Sequence, residues 1–293
     1  AFAMYDNRSG SYNVGLGVKT MFNQRISNYN VAIGYDSMDG VTASQTAVSD
    51  YNTAVGYQSL QSIQGGDNNT VIGKDSGNAI TTGSNNVIIG SNTGSTIATS
   101  DNNIIISDGG GNNRIQVDSG GNVGIGTSTI ESYWSGYTAL KVGYNNSIFG
   151  NTADSVGSAF FISQNLYNDG GNYRYVGSGS DEGGLIDLRG GAFVFSNAPL
   201  GTAGNVASIV PRLTISSGGN ATFNSQTIDV KAVSAGNTSL RLTANGGTAG
   251  TDSLDIINDG SNAYLYNRAN TPLILGTNNT ARLTISSGGE STF

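Results

Sequence analysis

The sequence predicts an all-β fold built from stacked repeats. Three observations carry the prediction. The 293 residues include 44 Gly and 3 Pro, with much Asn, Ser and Thr, a composition that disfavours long helices. Val, Ile, Leu and aromatic residues recur at regular intervals, which a disordered chain lacks. A short pattern of Asn, branched or small residues and Gly keeps returning, the mark of a stacked repeat.

Bulk composition removes whole classes of function. The chain carries 13 basic and 20 acidic residues, a net charge of −7, and no basic run, so a nucleic-acid partner is not expected. It has no His and no Cys, which removes disulfides, thiolate metal sites and the nucleophile–base pairs of most hydrolases. No apolar stretch approaches a membrane span, so no membrane insertion is expected. The opening "AFAMYDNRSG" has neither a signal peptide nor a start residue, and the chain reads as an internal or processed segment of something longer.

The first element is a ladder set by Asn13, Asn30, Asn52, Asn69, Asn86 and Asn103, spaced 17, 22, 17, 17 and 17 residues apart. One residue after each Asn come Val14, Val31, Thr53, Thr70, Val87 and Ile104; three after come Leu16, Ile33, Val55, Ile72, Ile89 and Ile106. In a strand these two positions share one face, and here that face is apolar or β-branched. Between them lie Gly15, Ala32, Ala54, Val71, Ile88 and Ile105, small first and large later, on the other face. Gly17, Gly34, Gly56, Gly73 and Gly90 follow in five copies, where positive φ or a close backbone approach is expected. Thr20, Ser37, Ser59, Ser76 and Thr93 hold a fixed place three residues on. Each coil is expected to give two strands of about five residues, and six coils stacked at ~4.8 Å make a rod of roughly 29 Å. Both faces of the ladder strand are apolar, so one face needs cover from outside the coil. The Gly15-to-Ile105 row is assigned to that contact, between parallel copies of the chain around a threefold axis.

The second pattern is "RIQVDSGGNVGI" at 114, "RLTISSGGNATF" at 212 and "RLTISSGGESTF" at 282. Arg, alternating residues, Ser-Gly-Gly and a second alternating run read as a β-hairpin. Leu213, Ile215, Ala221 and Phe223 are expected on its buried face. Taken as closing elements, the hairpins divide the chain into 1–127, 128–223 and 224–293. The middle module is rich in aromatics and contains hairpins around Asn168–Gly171 and Gly190–Gly191. Phe160, Phe193 and Phe195 are expected in its core. The third module repeats the plan in shorter form. The fold class expected is therefore all-β: a parallel homotrimeric fibre whose N-terminal β-roll of 17-residue repeats is followed by β-hairpin, β-prism or small β-sandwich modules.

These stretches carry a resemblance. The Asn-to-Gly ladder resembles the left-handed β-roll heads of trimeric autotransporter adhesins. With "NTAVGYQSL" at its spacing, it is also similar to the repeat arrays of bacteriophage tail-fibre proteins. "GNVGIGTST" and "NLYNDGGNYRYVGSG", with the closing hairpins, resemble the shafts of those fibres, and the likeness extends over nearly the whole chain. The resemblance implies a structural virion component, extracellular, whose partners are itself as a homotrimer, neighbouring tail or virion proteins, and a host-surface glycan or protein; the alternatives are a bacterial surface adhesin of the trimeric autotransporter type and a polysaccharide depolymerase spike. In that family a C-terminal intramolecular chaperone domain often follows.

Candidate chemistry is sparse. Asp181, Glu182 and Asp187, within one hairpin, are the residue types of a glycan-cleaving pair, but Asp181 and Glu182 read as part of a Gly-rich solvent loop. "GNVGIGTST" lacks the Lys of a phosphate loop, and Asn- and Asp-rich turns such as "DGGGNN" are explained by turn chemistry. No catalytic residue, cofactor or metal site is expected. Tyr133, Trp134 and Tyr137, in "ESYWSGY", fall outside clean alternation and are the candidates for stacking against sugar. Arg114, Arg212 and Arg282 are expected to anchor each hairpin to a neighbouring chain. The ladder Asn side chains are expected to bond up and down the stack.

Overall fold

Each ladder Asn is followed by a short strand, and these strands stack in parallel. The computed structural model describes residues 3–40, 48–130, 137–143, 145–151, 159–169, 171–177, 181–224, 238–243, 253–258 and 262–293. The ladder strands are β1 (Val14–Leu16), β2 (Val31–Ile33), β3 (Thr53–Val55), β4 (Thr70–Ile72), β5 (Val87–Ile89) and β6 (Ile104–Ser107). Val14 pairs with Val31, Val31 with Thr53, Thr53 with Thr70, Thr70 with Val87, and Val87 with Ile104. The result is a β-solenoid of about seven turns.

The Asn column fixes this register. Asn13 Oδ1 accepts from the backbone N–H of Asn30 at 2.9 Å, and the same bond recurs from Asn52 to Asn30 and from Asn69 to Asn52, both at 2.8 Å. The amides of Asn13 to Asn86 also donate across the coil, as Asn69 Nδ2 does to Gly83 O and Asn86 Nδ2 to Ser100 O. The ladder therefore runs mainly from side chain to backbone, with the Asn30-to-Asn103 side chains buried. Buried amides satisfied on both sides are stabilising, and any that lost a partner would be costly. Thr20, Ser37, Ser59 and Ser76 are buried beside it and bond to carbonyls of the coil wall, whereas Thr93 is exposed.

The glycine column is required by space as well as conformation. Gly17, Gly34, Gly56 and Gly73 have φ between +131° and +138°, and a Cβ on any of them would sit 2.2–2.4 Å from a carbonyl oxygen of the next coil. No L side chain fits there.

The returning half of each coil differs from expectation. It stacks through backbone bonds such as Met21 N–H to Ser37 O and Asn23 N–H to Asp39 O, but among the described residues it forms no strand. Met21, Met38 and Leu60 adopt φ of 51–53°, a left-handed conformation that breaks a strand at every turn.

Those same residues correct the assignment of faces. Gly15, Ala32, Ala54, Val71, Ile88 and Ile105 do not face outward toward another chain; they line the inside of their own coil, and Ala32 to Ile105 are 0% exposed. The growing side chains face a shrinking row six residues further on: Met21, Met38, Leu60, Gly77 and Gly94. Gly15 and Ala32 share their coils with Met, Ala54 with Leu60, and Val71 and Ile88 with Gly. A Cβ on Gly77 would lie 2.8 Å from Val71 Cγ1. Each coil therefore keeps a nearly constant interior volume, as close packing demands. Ile63, Ile80 and Ile97 complete this core.

At β6 the sheet turns antiparallel and continues. β7 (Asn113–Val117) pairs with β6 and with β8 (Val123–Ile125), and β8 runs parallel to β9 (Tyr137–Val142). Then follow β10 (Asn146–Asn151), β11 (Ala159–Gln164), β14 (Asp181–Arg189), β15 (Ala192–Gly201), β16 (Val210–Ile215) and β17 (Ala221–Phe223). All belong to one fifteen-stranded sheet. Between β11 and β14, a separate pair, β12 (Leu166–Asn168) and β13 (Tyr173–Tyr175), contributes to the second core with Phe149, Phe161 and Leu185.

The contacts divide the chain into two units, Ala1–Asn224 and Ser225–Phe293. The position 127/128 falls within the first unit, in the connection between β8 and β9. Among the described residues, the second unit contains two three-stranded sheets: β18 (Thr238–Thr243), β19 (Ser253–Asn258) and β20 (Ala263–Asn267); then β21 (Leu273–Thr277), β22 (Thr280–Ile285) and β23 (Ser291–Thr292).

Candidate functional site

The residues that flank the buried row point the other way, and register carries them the length of the sheet. Val14, Val31, Thr53, Thr70, Val87 and Ile104 stand in line across the six parallel strands. Ile104 pairs with Val117, then come Val123, Leu140, Ile148 and Ile162. Ile162 pairs with Ile186, followed by Phe195, Leu213 and Phe223. Every strand of the fifteen contributes one residue, and none of these is charged.

The line is flanked by a second apolar row on either side of β10, where the flanking positions are Asn146 and Gly150. From β1 to β9 this is Leu16, Ile33 and onward to Ile125 and Val142. Beyond β10 it crosses to the opposite side, as Phe160, Leu188, Phe193 and Ile215. At ~4.8 Å per strand the strip runs for roughly 67 Å. Val14, Ile104, Ile148, Ile162, Phe195 and Phe223 are 36–54% exposed in the single chain. Two shallow clefts, of about 350 and 460 Å³, open on it, one lined by Leu140, Ile148 and Phe160 and the other by Ile162, Ile186 and Phe195. An uncharged apolar strip of this length is far larger than the isolated exposed residues of ordinary surfaces.

Several expectations are corrected by the same register. Phe160, Phe193 and Phe195 lie on the open strip, and the aromatic core is instead Phe149 against Phe161, rings 4.7 Å apart. Leu213 and Ile215 are half-buried and Ala221 and Phe223 exposed, so the closing hairpin adds to the strip and has no buried face of its own. Separately, within the single chain Arg114 bonds to Asp108, Arg212 to Asn197 Oδ1 at 2.8 Å, and Arg282 to Thr277 Oγ1 at 3.0 Å.

Of the three residues predicted to meet sugar, Tyr133 and Trp134 lie outside the described residues. Tyr137 is half-buried against the second core, edge-on to Phe149 and Phe161 with centroids 6.0 Å away. Nearby, the Arg189 guanidinium holds the buried Asp187 carboxylate at 2.5–3.0 Å and lies 5.4 Å from the Phe161 centroid. Burial, together with the Asp187 charge, pushes the Tyr173 hydroxyl well above its ordinary pKa, and the Asp187 partner raises that of Arg189. Asp181 and Glu182 begin β14, exposed, and are not in a loop. Among the described residues, no three His, Cys, Asp or Glu side chains gather as a metal site. Nor is any helix there long and apolar enough to cross a membrane.

No family model matches the chain, and neither a curated protein nor a solved structure does.

Proposed function

We propose that this chain is a structural fibre segment, a rigid shaft formed by three parallel copies that meet along the apolar strip. The single observation that carries the reading is the uninterrupted line from Val14 to Phe223. One chain leaves that line uncovered, and identical lines on other copies are its natural complement. Its two polar members, Thr53 and Thr70, favour a parallel, in-register arrangement. Only then do hydroxyls meet hydroxyls; an antiparallel partner would set them against apolar side chains of other strands.

The setting rests on the sequence resemblance: a phage tail fibre or other virion fibre, outside the cell, supporting or contributing to recognition of a host surface. The work is mechanical. Burying the strips between copies gives slow unfolding, which an extracellular rod needs. The 17-residue coil is its spacer unit, and the chain is read as a non-enzyme. Amine-to-amine cross-linking through the lysines, at low protein concentration, tests the assembly. A three-chain adduct linking equivalent residues is expected, and adducts confined to single chains would reject the shared strip.

A further inference from the structure

Three tyrosines just before the ladder Asn residues stand in one column. Tyr12 and Tyr29 stack with ring centroids 4.8 Å apart and planes 6° from parallel, and Tyr29 and Tyr51 stack at 4.9 Å and 1°. Their exposures are 75%, 47% and 56%. Beyond the other end of the strands, Tyr35 and Tyr57 stack at 5.5 Å and 10° and are also exposed. The rings face one another, so Tyr29 is stacked on both flat faces and the other four rings on one. That geometry places the ring edges of neighbouring tyrosines side by side and within reach of a soluble oxidant.

We propose that these columns are sites of oxidative tyrosine cross-linking, with dityrosine bonds joining successive coils. A one-electron oxidant removes one electron from each of two stacked phenols, and each phenol loses its hydroxyl proton. The two tyrosyl radicals couple through ring carbons ortho to oxygen, forming one C–C bond. The ortho hydrogens then shift to oxygen and restore both phenols. The pair loses two electrons and two protons overall, and the oxidant takes up the electrons.

The chain has no Cys, so disulfides are closed to it as an oxidative staple between coils. The two columns also meet at a particular place. Tyr29–Tyr51 and Tyr35–Tyr57 bracket the β2–β3 pair from both ends, across the one interval of 22 residues in the ladder. A covalent tie across the longest connection constrains the unfolded chain there, by the same logic as a disulfide.

The test uses the full chain with photo-generated ruthenium(III) as the one-electron oxidant and persulfate as terminal electron acceptor. Peptide mapping by mass spectrometry should find Tyr12–Tyr29, Tyr29–Tyr51 and Tyr35–Tyr57 links, each lighter by two hydrogen atoms than its separate peptides. The Tyr29→Phe variant keeps a ring in the stack; it should lose the first two links and retain the third. Oxidation that hydroxylates tyrosines without these links would overturn the proposal. So would links joining tyrosines of different chains, because the columns would then be inter-chain contacts. Either failure leaves the trimer reading standing, since assembly is measured separately.

Discussion

Ile88 and Gly94 face each other inside the fifth coil, where a Cβ on Gly94 would lie 3.0 Å from Ile88 Cδ1. Three coils earlier the arrangement is reversed, with Ala32 in the place of Ile88 and Met38 in the place of Gly94. The trade between the two walls is testable at the middle of the series. Ala54→Ile alone should overpack the third coil at a cost of about 1–3 kcal/mol. Leu60→Gly alone should leave a cavity and cost roughly 2–5 kcal/mol. The double variant places Ile opposite Gly, as the fifth coil already does, and should recover part of the summed loss. Denaturant unfolding of all four proteins measures this; additivity within about 0.5 kcal/mol would mean that the positions do not share volume.

The Asn column predicts a large cost for a small change. Asn86→Ala removes the acceptor for the Asn103 N–H and the donor to Ser100 O. Each polar group orphaned in the interior is expected to cost about 1–3 kcal/mol. Hydrogen exchange should show the loss concentrated at the Asn103 amide and its neighbouring coils. Unchanged protection at Asn103 would show that the side-chain bond does not hold the register.

The turn at residues 108–113 should respond to acid. Bonds from the Asn112 side chain and then Arg114, with the backbone N–H groups of Asn112 and Gly110, lower the Asp108 carboxyl to about 2. A folded pKa below the ordinary carboxylate value contributes stability that is present above that value and is lost as pH falls through the folded pKa. Protection of the Gly110 and Asn112 amides should therefore decline from about pH 4 to about pH 2. Asp108→Asn should remove that pH dependence, and a decline that survives the substitution would assign it to another group.

Charges on the two faces should have different consequences. Ile88→Asp places a carboxylate among side chains that are 0% exposed, so it should unfold the solenoid of the single chain. Ile148→Glu with Ile162→Glu alters two residues that are 36% and 41% exposed and should leave secondary structure intact while abolishing assembly. Circular dichroism together with light scattering separates the outcomes. A folded Ile88→Asp variant that fails only to assemble would restore the opposite assignment of faces.

That assignment is where sequence reasoning reached its limit. The ladder itself was legible, because Asn30 and Asn52 announce the register and Gly34 and Gly56 announce the close approach. Alternation separates Val71 from Thr70 and Ile72, but it does not say which side faces inward when both are apolar. The deciding signal was present: Met21, Met38, Leu60, Gly77 and Gly94 sit six residues after the row whose sizes they complement. It was hidden because left-handed φ at Met and Leu is contrary to their preference, so the returning half reads as a strand. In the second core, Phe160 and Phe161 are adjacent and chemically identical. Only register with Leu188 and Asp187 sends one to the open strip and the other inward.

Sedimentation equilibrium on the intact chain tests most directly whether the strip is shared between copies. The prediction is one species with three times the 30.0 kDa chain mass, maintained on dilution. A single species at the mass of one chain, folded and monodisperse at the same concentrations, would contradict it.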